Sequence, residues 1–280
     1  MARLDGKVAL ITGAARGQGR SHALRLAEEG AEIIACDICS QVDTVPYSMA
    51  TPEDLQETAR IVEDLDRRVV ARQADVRNFD ELQSVVEEGL SEFGKIDILV
   101  ANAGIASYAP TWELTEEQWR DMLDTNLTGV WHACKAVIPH MIERGEGGSI
   151  ILTSSTAGIM GLANLAHYTA AKHGVVGLMK TLANELGPYM IRVNSIHPTG
   201  VNTDMVQNEP SYRLFRPDKE SPTREDAAEA FQTLNLLPIP WVETRDISNA
   251  VLWLASDEAR YVTGMQLKID AGSTEKAPGG

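Results

Sequence analysis

Short runs of β-branched apolar residues alternate with amphipathic stretches along almost the whole chain, from Lys7 to Asp270. Lys7–Thr12, Glu32–Cys36, Arg68–Gln73, Ile96–Val100, Ser149–Ser154, Ile191–Ile196 and Met265–Asp270 read as strands. Between them, Gly17–Gly30, Pro52 to about Leu65, Asn78–Phe93, Ala166–Leu186 and Thr244–Ala255 carry apolar residues at helical spacing. A further long helix is predicted from the cap at Thr115 to about Arg144. Asn78 suits an N-cap, and Gly30 and Gly187-Pro188 supply stops. Strands that are apolar on both faces must be covered on both faces, so the pattern predicts an α/β fold with a seven-stranded, mainly parallel sheet between helices. No linker, repeat or low-complexity run interrupts it, which predicts one domain over residues 1–280. Three segments stand outside the alternation: an insertion at Ile38–Thr51, a stretch from about Thr203 to Leu237, and the tail from Ser273 to Gly280.

Charge and composition exclude several functions. With 25 Lys+Arg against 40 Asp+Glu, the net charge of −15 repels a phosphate backbone, so no nucleic-acid partner is expected. No apolar run approaches the roughly 20 residues of a membrane span, and Asp5 and Lys7 precede too short an apolar run for a signal peptide. Three cysteines, Cys36, Cys39 and Cys134, are too few for a disulfide scaffold, so a reducing, cytoplasmic setting is expected. Cys36 and Cys39 form C-x-x-C without a second ligand pair, so no metal is expected.

The first strand–helix turn reads Thr12-Gly13-Ala14-Ala15-Arg16-Gly17-Gln18-Gly19. Glycines let the backbone approach a ligand closely, and the helix N-terminus beyond them offers free N–H groups to a pyrophosphate. A plain tight turn would need the same glycines. Their place in the first strand–helix unit points to a doubly wound Rossmann domain that binds a dinucleotide. Asp37, after the second strand, stands where such folds hold the adenosine ribose hydroxyls and would repel a 2′-phosphate, which favours NAD. Arg16 keeps NADP open as an alternative.

A second group lies further along. Tyr168 and Lys172 are four residues apart, so a helix presents them on one face. A nearby ammonium favours phenolate and lowers a tyrosine pKa from about 10 toward the working range of a base. Ser155 lies at the end of the fifth strand, where open α/β sheets place ligands.

Together these motifs resemble the short-chain dehydrogenase/reductase family over almost the whole chain. The matching residues are Thr12–Gly19, Asp75-Val76, Asn102-Ala103-Gly104, Asn126, Ser155, Tyr168 with Lys172, and Asn194-Ser195-Ile196-His197-Pro198. The resemblance implies that Tyr168 is the acid/base, that Ser155 holds the substrate oxygen, and that Lys172 lowers the Tyr168 pKa and holds the nicotinamide ribose. It implies that Asn126 anchors a water chain behind Lys172, that Asp75 and Val76 flank adenine, and that Asn102, Ala103 and Gly104 line the ribose side. Gly13, Arg16, Gly17, Gln18, Gly19 and Asp37 complete the nucleotide end, and Pro198, Val201 and Thr203 the nicotinamide end. Thr199 departs from the family by standing where it usually has glycine, and His197 is read as structural. Trp112, Trp119 and Trp131 are expected to pack around the long helix. A homotetramer is also implied, with the long helices as its contacts.

The run His197-Pro198-Thr199-Gly200-Val201-Asn202-Thr203, together with the insertion and Pro52–Thr58, resembles the mycofactocin-associated, carveol-dehydrogenase-like branch of that family. In that branch NAD is held without exchange and electrons leave through a separate carrier, mycofactocin. The insertion is accordingly expected to cover the NAD, a surface loop being the alternative. Met205, Tyr212, Phe215 and Phe231 suggest an apolar lid for a small apolar alcohol or ketone, such as the terpenoid carveol. The competing readings are a freely exchanging reductase for a steroid or acyl thioester and a non-catalytic NAD-binding regulator.

Overall fold

The computed structural model describes residues 2–277. Seven strands form one sheet: β1 (Val8–Thr12), β2 (Glu32–Asp37), β3 (Val69–Gln73), β4 (Ile98–Ala101), β5 (Gly148–Thr153), β6 (Ile191–Pro198) and β7 (Gln266–Ile269). Their order is β3-β2-β1-β4-β5-β6-β7, and every neighbouring pair is parallel. Nine helices accompany them among the described residues: α1 (Gly17–Ala27), α2 (Pro52–Glu63), α3 (Phe79–Phe93), α4 (Glu116–Leu123), α5 (Gly129–Arg144), α6 (Ala166–Leu186), α7 (Glu209–Phe215), α8 (Arg224–Gln232) and α9 (Thr244–Ala255).

The side-chain period of a strand divides the core in two. Val8 and Leu10 of β1 join the cluster of Val86, Val137 and Met179, from α3, α5 and α6. Ala9 and Ile11 join that of Leu26, Val251 and Leu252, from α1 and α9. β1 is therefore buried on both faces, as its sequence showed. The strand order reverses between β1 and β4, and this leaves a crevice at the carboxyl ends of those strands.

The long helix expected from Thr115 to Arg144 is three elements. Thr115 caps α4 through a capping box with Gln118, a π turn follows at Asp124–Thr128, and α5 continues to Arg144. The turn swings Asn126 inward, where its amide pairs with both backbone groups of Ile105: Oδ1 accepts from the N–H at 2.8 Å and Nδ2 donates to the carbonyl at 2.9 Å. A satisfied buried amide holds the helix to this local cost.

β6 also runs two residues beyond its expected end, which brings His197 and Pro198 into the sheet. Trp131 packs on α5 against His132 and Lys135 as expected, although it and Trp119 keep 44% and 37% of their surface exposed. For Trp112 the expectation is corrected, since it is 85% exposed. The segment from Thr203 to Leu237 contains α7 and α8. Of the tail, Ser273–Glu275 is a 3-10 turn, and residues 278–280 lie outside the described residues.

Candidate active site

The glycine turn is set by contact distances. A Cβ on Gly19 would stand 1.9 Å from the Gly13 carbonyl oxygen. One on Gly13, whose φ is +66°, would stand 2.8 Å from the Ala103 Cα. Only hydrogen side chains let α1, β1 and the end of β4 approach this closely. Thr12 ties the same three parts together. Its hydroxyl accepts from the N–H groups of Asn102 and Ala103, both at 3.0 Å, while Asn102 Nδ2 donates back to the Thr12 carbonyl at 3.1 Å.

A groove results, and the structure gathers in it Gly13, Arg16, Gly17, Gln18, Gly19, Asp37, Asp75, Val76, Asn102, Ala103, Gly104 and Thr203. Asp37 closes one end. Its oxygens accept from the Ala15 and Cys39 N–H groups, each at 3.1 Å. Burial pushes its pKa up, and those two bonds act against the rise. Asp75 reaches the groove, but its carboxylate is engaged by Arg77 at 2.7 Å.

The groove fits a dinucleotide. The buried Gln18 Oε1 and Thr125 Oγ1, on residues that line it, have no hydrogen-bond partner among the described residues. Orphaned buried polar atoms are costly unless a ligand meets them.

The groove opens into a cavity of about 490 Å³ lined by Ser155, Tyr168, Lys172, Pro198, Val201 and Thr203 on one side. Met160, Leu162, Leu165, Phe215, Phe231 and Leu234 make much of the rest. Lys172 is 3% exposed, and its ammonium donates to the Thr153 carbonyl at 2.8 Å. Burial lowers its pKa to about 8. Tyr168 is pushed up to about 12 by burial, with the hydrogen bond to Ser155 pulling the other way. The Lys172 Nζ lies 5.5 Å from the Tyr168 ring centroid.

Asn126 lines neither space. It sits behind the β4 loop, with its Oδ1 3.3 Å and Lys172 Nζ 3.6 Å from where a Gly104 Cβ would be. Thr199, in its unusual place, donates to Asn235 Oδ1 at 3.2 Å and so links the end of β6 to the segment after α8.

Sequence reasoning assigned no contacts to the insertion 38–51. It is an ordered strap. Gln41 Nε2 donates to the carbonyls of Val42, Val45 and Tyr47 at 3.0–3.2 Å, which holds the loop to itself. The strap is then tied at several points. Arg16 Nη2 donates to the Ser48 carbonyl at 2.5 Å, the Tyr47 hydroxyl accepts from the Ala106 N–H at 3.1 Å, and the Thr44 hydroxyl donates to Asp121 at 2.7 Å. Val42, Tyr47 and Met49 line the groove, and Tyr47 packs in the same apolar cluster as Tyr168. Arg16 also reaches Asp204, at 3.3 Å, at the start of the segment bearing α7 and α8. In the sequence, the position of the insertion after Asp37 and its Pro46, Tyr47 and Met49 were the signals that it lies over the nucleotide end.

The family model for short chain dehydrogenase matches residues 7–213. The chain is a short-chain dehydrogenase. Among its relatives is the (−)-trans-carveol dehydrogenase of Rhodococcus erythropolis, 54% identical, with 99% of this chain and all of that protein covered. The crystal structure of a carveol dehydrogenase from Mycobacterium avium in complex with NAD is 56% identical, covers 99% of this chain and 100% of that one, and superposes with a TM-score of 0.97. A short chain dehydrogenase from Mycobacterium paratuberculosis bound to NAD is 46% identical, over 98% of this chain and 100% of that one, with a TM-score of 0.89. The protein is thus an oxidoreductase. No helix among its described residues is long and apolar enough to cross a membrane.

The buried lysine has a measurable consequence. Its folded-state pKa of about 8 lies below the ordinary 10.5, so between these values the unfolded chain binds the extra proton and stability rises with pH. Lys172→Met removes this dependence. The variant is expected to resist denaturant better than the parent at pH 7, with the gap shrinking from pH 8 to 10.5. Denaturant titrations across that range check it, and a gap that stays constant refutes it.

Proposed function

We propose that the protein oxidises a small apolar secondary alcohol, or reduces the matching ketone, with NAD. The observation that carries this reading is the convergence of Ser155, Tyr168 and Lys172 where a dinucleotide groove meets an apolar cavity. Bound nicotinamide supplies the hydride acceptor or donor. Tyr168 takes the proton of the substrate hydroxyl, and Ser155 holds the substrate oxygen. Lys172 stabilises the phenolate and holds the nicotinamide ribose, and Asn126 fixes the backbone beside Lys172. Asp37, buried and already bonded to two N–H groups, leaves lone pairs for ribose hydroxyls and no room for a 2′-phosphate charge. The cavity of about 490 Å³, with Leu165, Phe215 and Phe231 in its walls, suits a terpenoid alcohol such as carveol. The named activity of the Rhodococcus relative supports the same substrate class.

The strap supports a finer reading. It crosses the groove with ties to Arg16, Ala106 and Asp121, so NAD leaves only after those contacts break. NAD is then held through many turnovers, and electrons pass to an external acceptor, for which mycofactocin is the candidate by resemblance. Four subunits are proposed on the strength of the exposed Trp112, Trp119 and Trp131 beside and along α4 and α5.

Three measurements check these statements. Tyr168→Phe is expected to lose about a hundredfold or more of its alcohol oxidation while NAD still binds, since positioned acid/base groups contribute about 10²–10⁴. Near-normal turnover removes Tyr168 from the chemistry. Protein purified without added cofactor and then denatured should release close to one NAD per chain, and Arg16→Ala should hold much less. An NAD content near zero in the parent sinks the retention reading. Sedimentation of the same preparation should give a tetramer, and a monomer overturns that assembly.

A further inference from the structure

His197 is fully buried at the end of β6 and touches neither the groove nor the cavity. Its ring has two partners. Nδ1 lies 2.8 Å from the Ser155 carbonyl oxygen, and Nε2 lies 2.8 Å from the Ser195 hydroxyl. A carbonyl can only accept, so the ring proton sits on Nδ1. Nε2 must then accept, and Ser195 donates to it. The pair of contacts selects one neutral tautomer. Protonation would put a second N–H against the Ser195 hydroxyl, among surroundings that include the cations Lys172 and Lys268 and the carboxylate Asp270. Burial, the largest influence, pushes the His197 pKa below its ordinary value and keeps the ring neutral.

Ser155 depends on this ring. Its carbonyl accepts from His197 and from the Gly158 N–H at 2.9 Å. Its hydroxyl accepts from the Ala157 N–H at 3.1 Å and is hydrogen-bonded to Tyr168. Gly158 and Ala157 belong to the short turn that Ser155 itself starts, so they move with it. His197 is the partner that comes from the sheet and gives the turn a fixed reference.

We infer that His197 is a positioning residue, held in the Nδ1–H tautomer that the Ser155 carbonyl requires and steadied by Ser195 at Nε2, which holds the Ser155 carbonyl and thereby aims the Ser155 hydroxyl at the substrate oxygen. The relay Ser195–His197–Ser155 rests on the proposed role of Ser155, and its test separates the two. Asparagine places a side-chain N–H close to where Nδ1–H stands, whereas leucine fills similar space without a donor.

His197→Leu is expected to lower kcat about tenfold to a hundredfold, the scale of a small misplacement of a reacting group. The NAD content of the purified protein should be unchanged, and His197→Asn should recover most of the loss. In a Ser155→Ala background, adding His197→Leu should cost nothing further. A His197→Leu enzyme within twofold of the parent, or losses that multiply in the double variant, overturn the relay while leaving Ser155 in place. A Ser155→Ala enzyme with near-parent kcat instead overturns the role of Ser155. If His197→Leu does not fold, Ser195→Ala carries the same test. It leaves Nε2 without its hydroxyl partner, loosens the ring, and should lower kcat severalfold with the NAD content again unchanged. An unaltered kcat in that variant overturns the relay.

Discussion

The close approach of α1 to β1 is the constraint on which the rest of the site depends. Gly19 packs against the Gly13 carbonyl at a distance that no side chain survives, and Gly13 lies against the backbone of Ala103. This contact turns the N-terminal end of α1 toward the crevice between β1 and β4, where unpaired N–H groups face a ligand. Thr12 carries the same order sideways, because its hydroxyl fixes the N–H groups of Asn102 and Ala103. The groove is thus a consequence of backbone packing before any charged side chain is placed.

The chemistry is governed by loss of water. Lys172 is held almost fully buried on the Thr153 carbonyl, and its pKa falls to about 8 as a result. Tyr168 moves the opposite way, to about 12, because burial always disfavours the charged form. A tyrosine in this state needs added positive charge to act as a base. The Lys172 ammonium lies 5.5 Å from its ring centroid, and an oxidised nicotinamide, as proposed, would add to that charge. His197 completes the pattern as a buried ring with both nitrogens partnered. The protein thereby gathers three titratable groups into one dry region and satisfies each with backbone or hydroxyl contacts.

The insertion shows how a feature that is anonymous in the sequence gains meaning in space. Residues 38–51 follow Asp37, so any reading places them near the adenosine end. That they fold into a strap, stapled by Gln41 and reaching from Arg16 to Ala106 and Asp121, needs long-range partners that no local pattern encodes. Arg16 was legible only as a cation near phosphate. In the folded chain it joins the strap, through Ser48, to the segment bearing α7 and α8, through Asp204.

The sequence by itself determined the layered α/β architecture, the glycine turn, and the pairing of Tyr168 with Lys172, to which the family resemblance added Ser155. It could do so because strand and helix periods, glycine geometry and i, i+4 spacing are local properties. The helices at 166–186 and 244–255 are found at their expected bounds for the same reason. Only the tertiary structure decided that the helix after Thr115 breaks at a π turn, because Asn126 is drawn inward by the Ile105 backbone, 21 residues away. It also decided that Tyr168 is driven up rather than down, since burial is set by the packing of distant elements. In the same way it placed His197 on Ser155, a contact made across 42 residues between two strand ends. What depends on neighbours along the chain was readable, and what depends on the exclusion of water by parts remote in the chain was not.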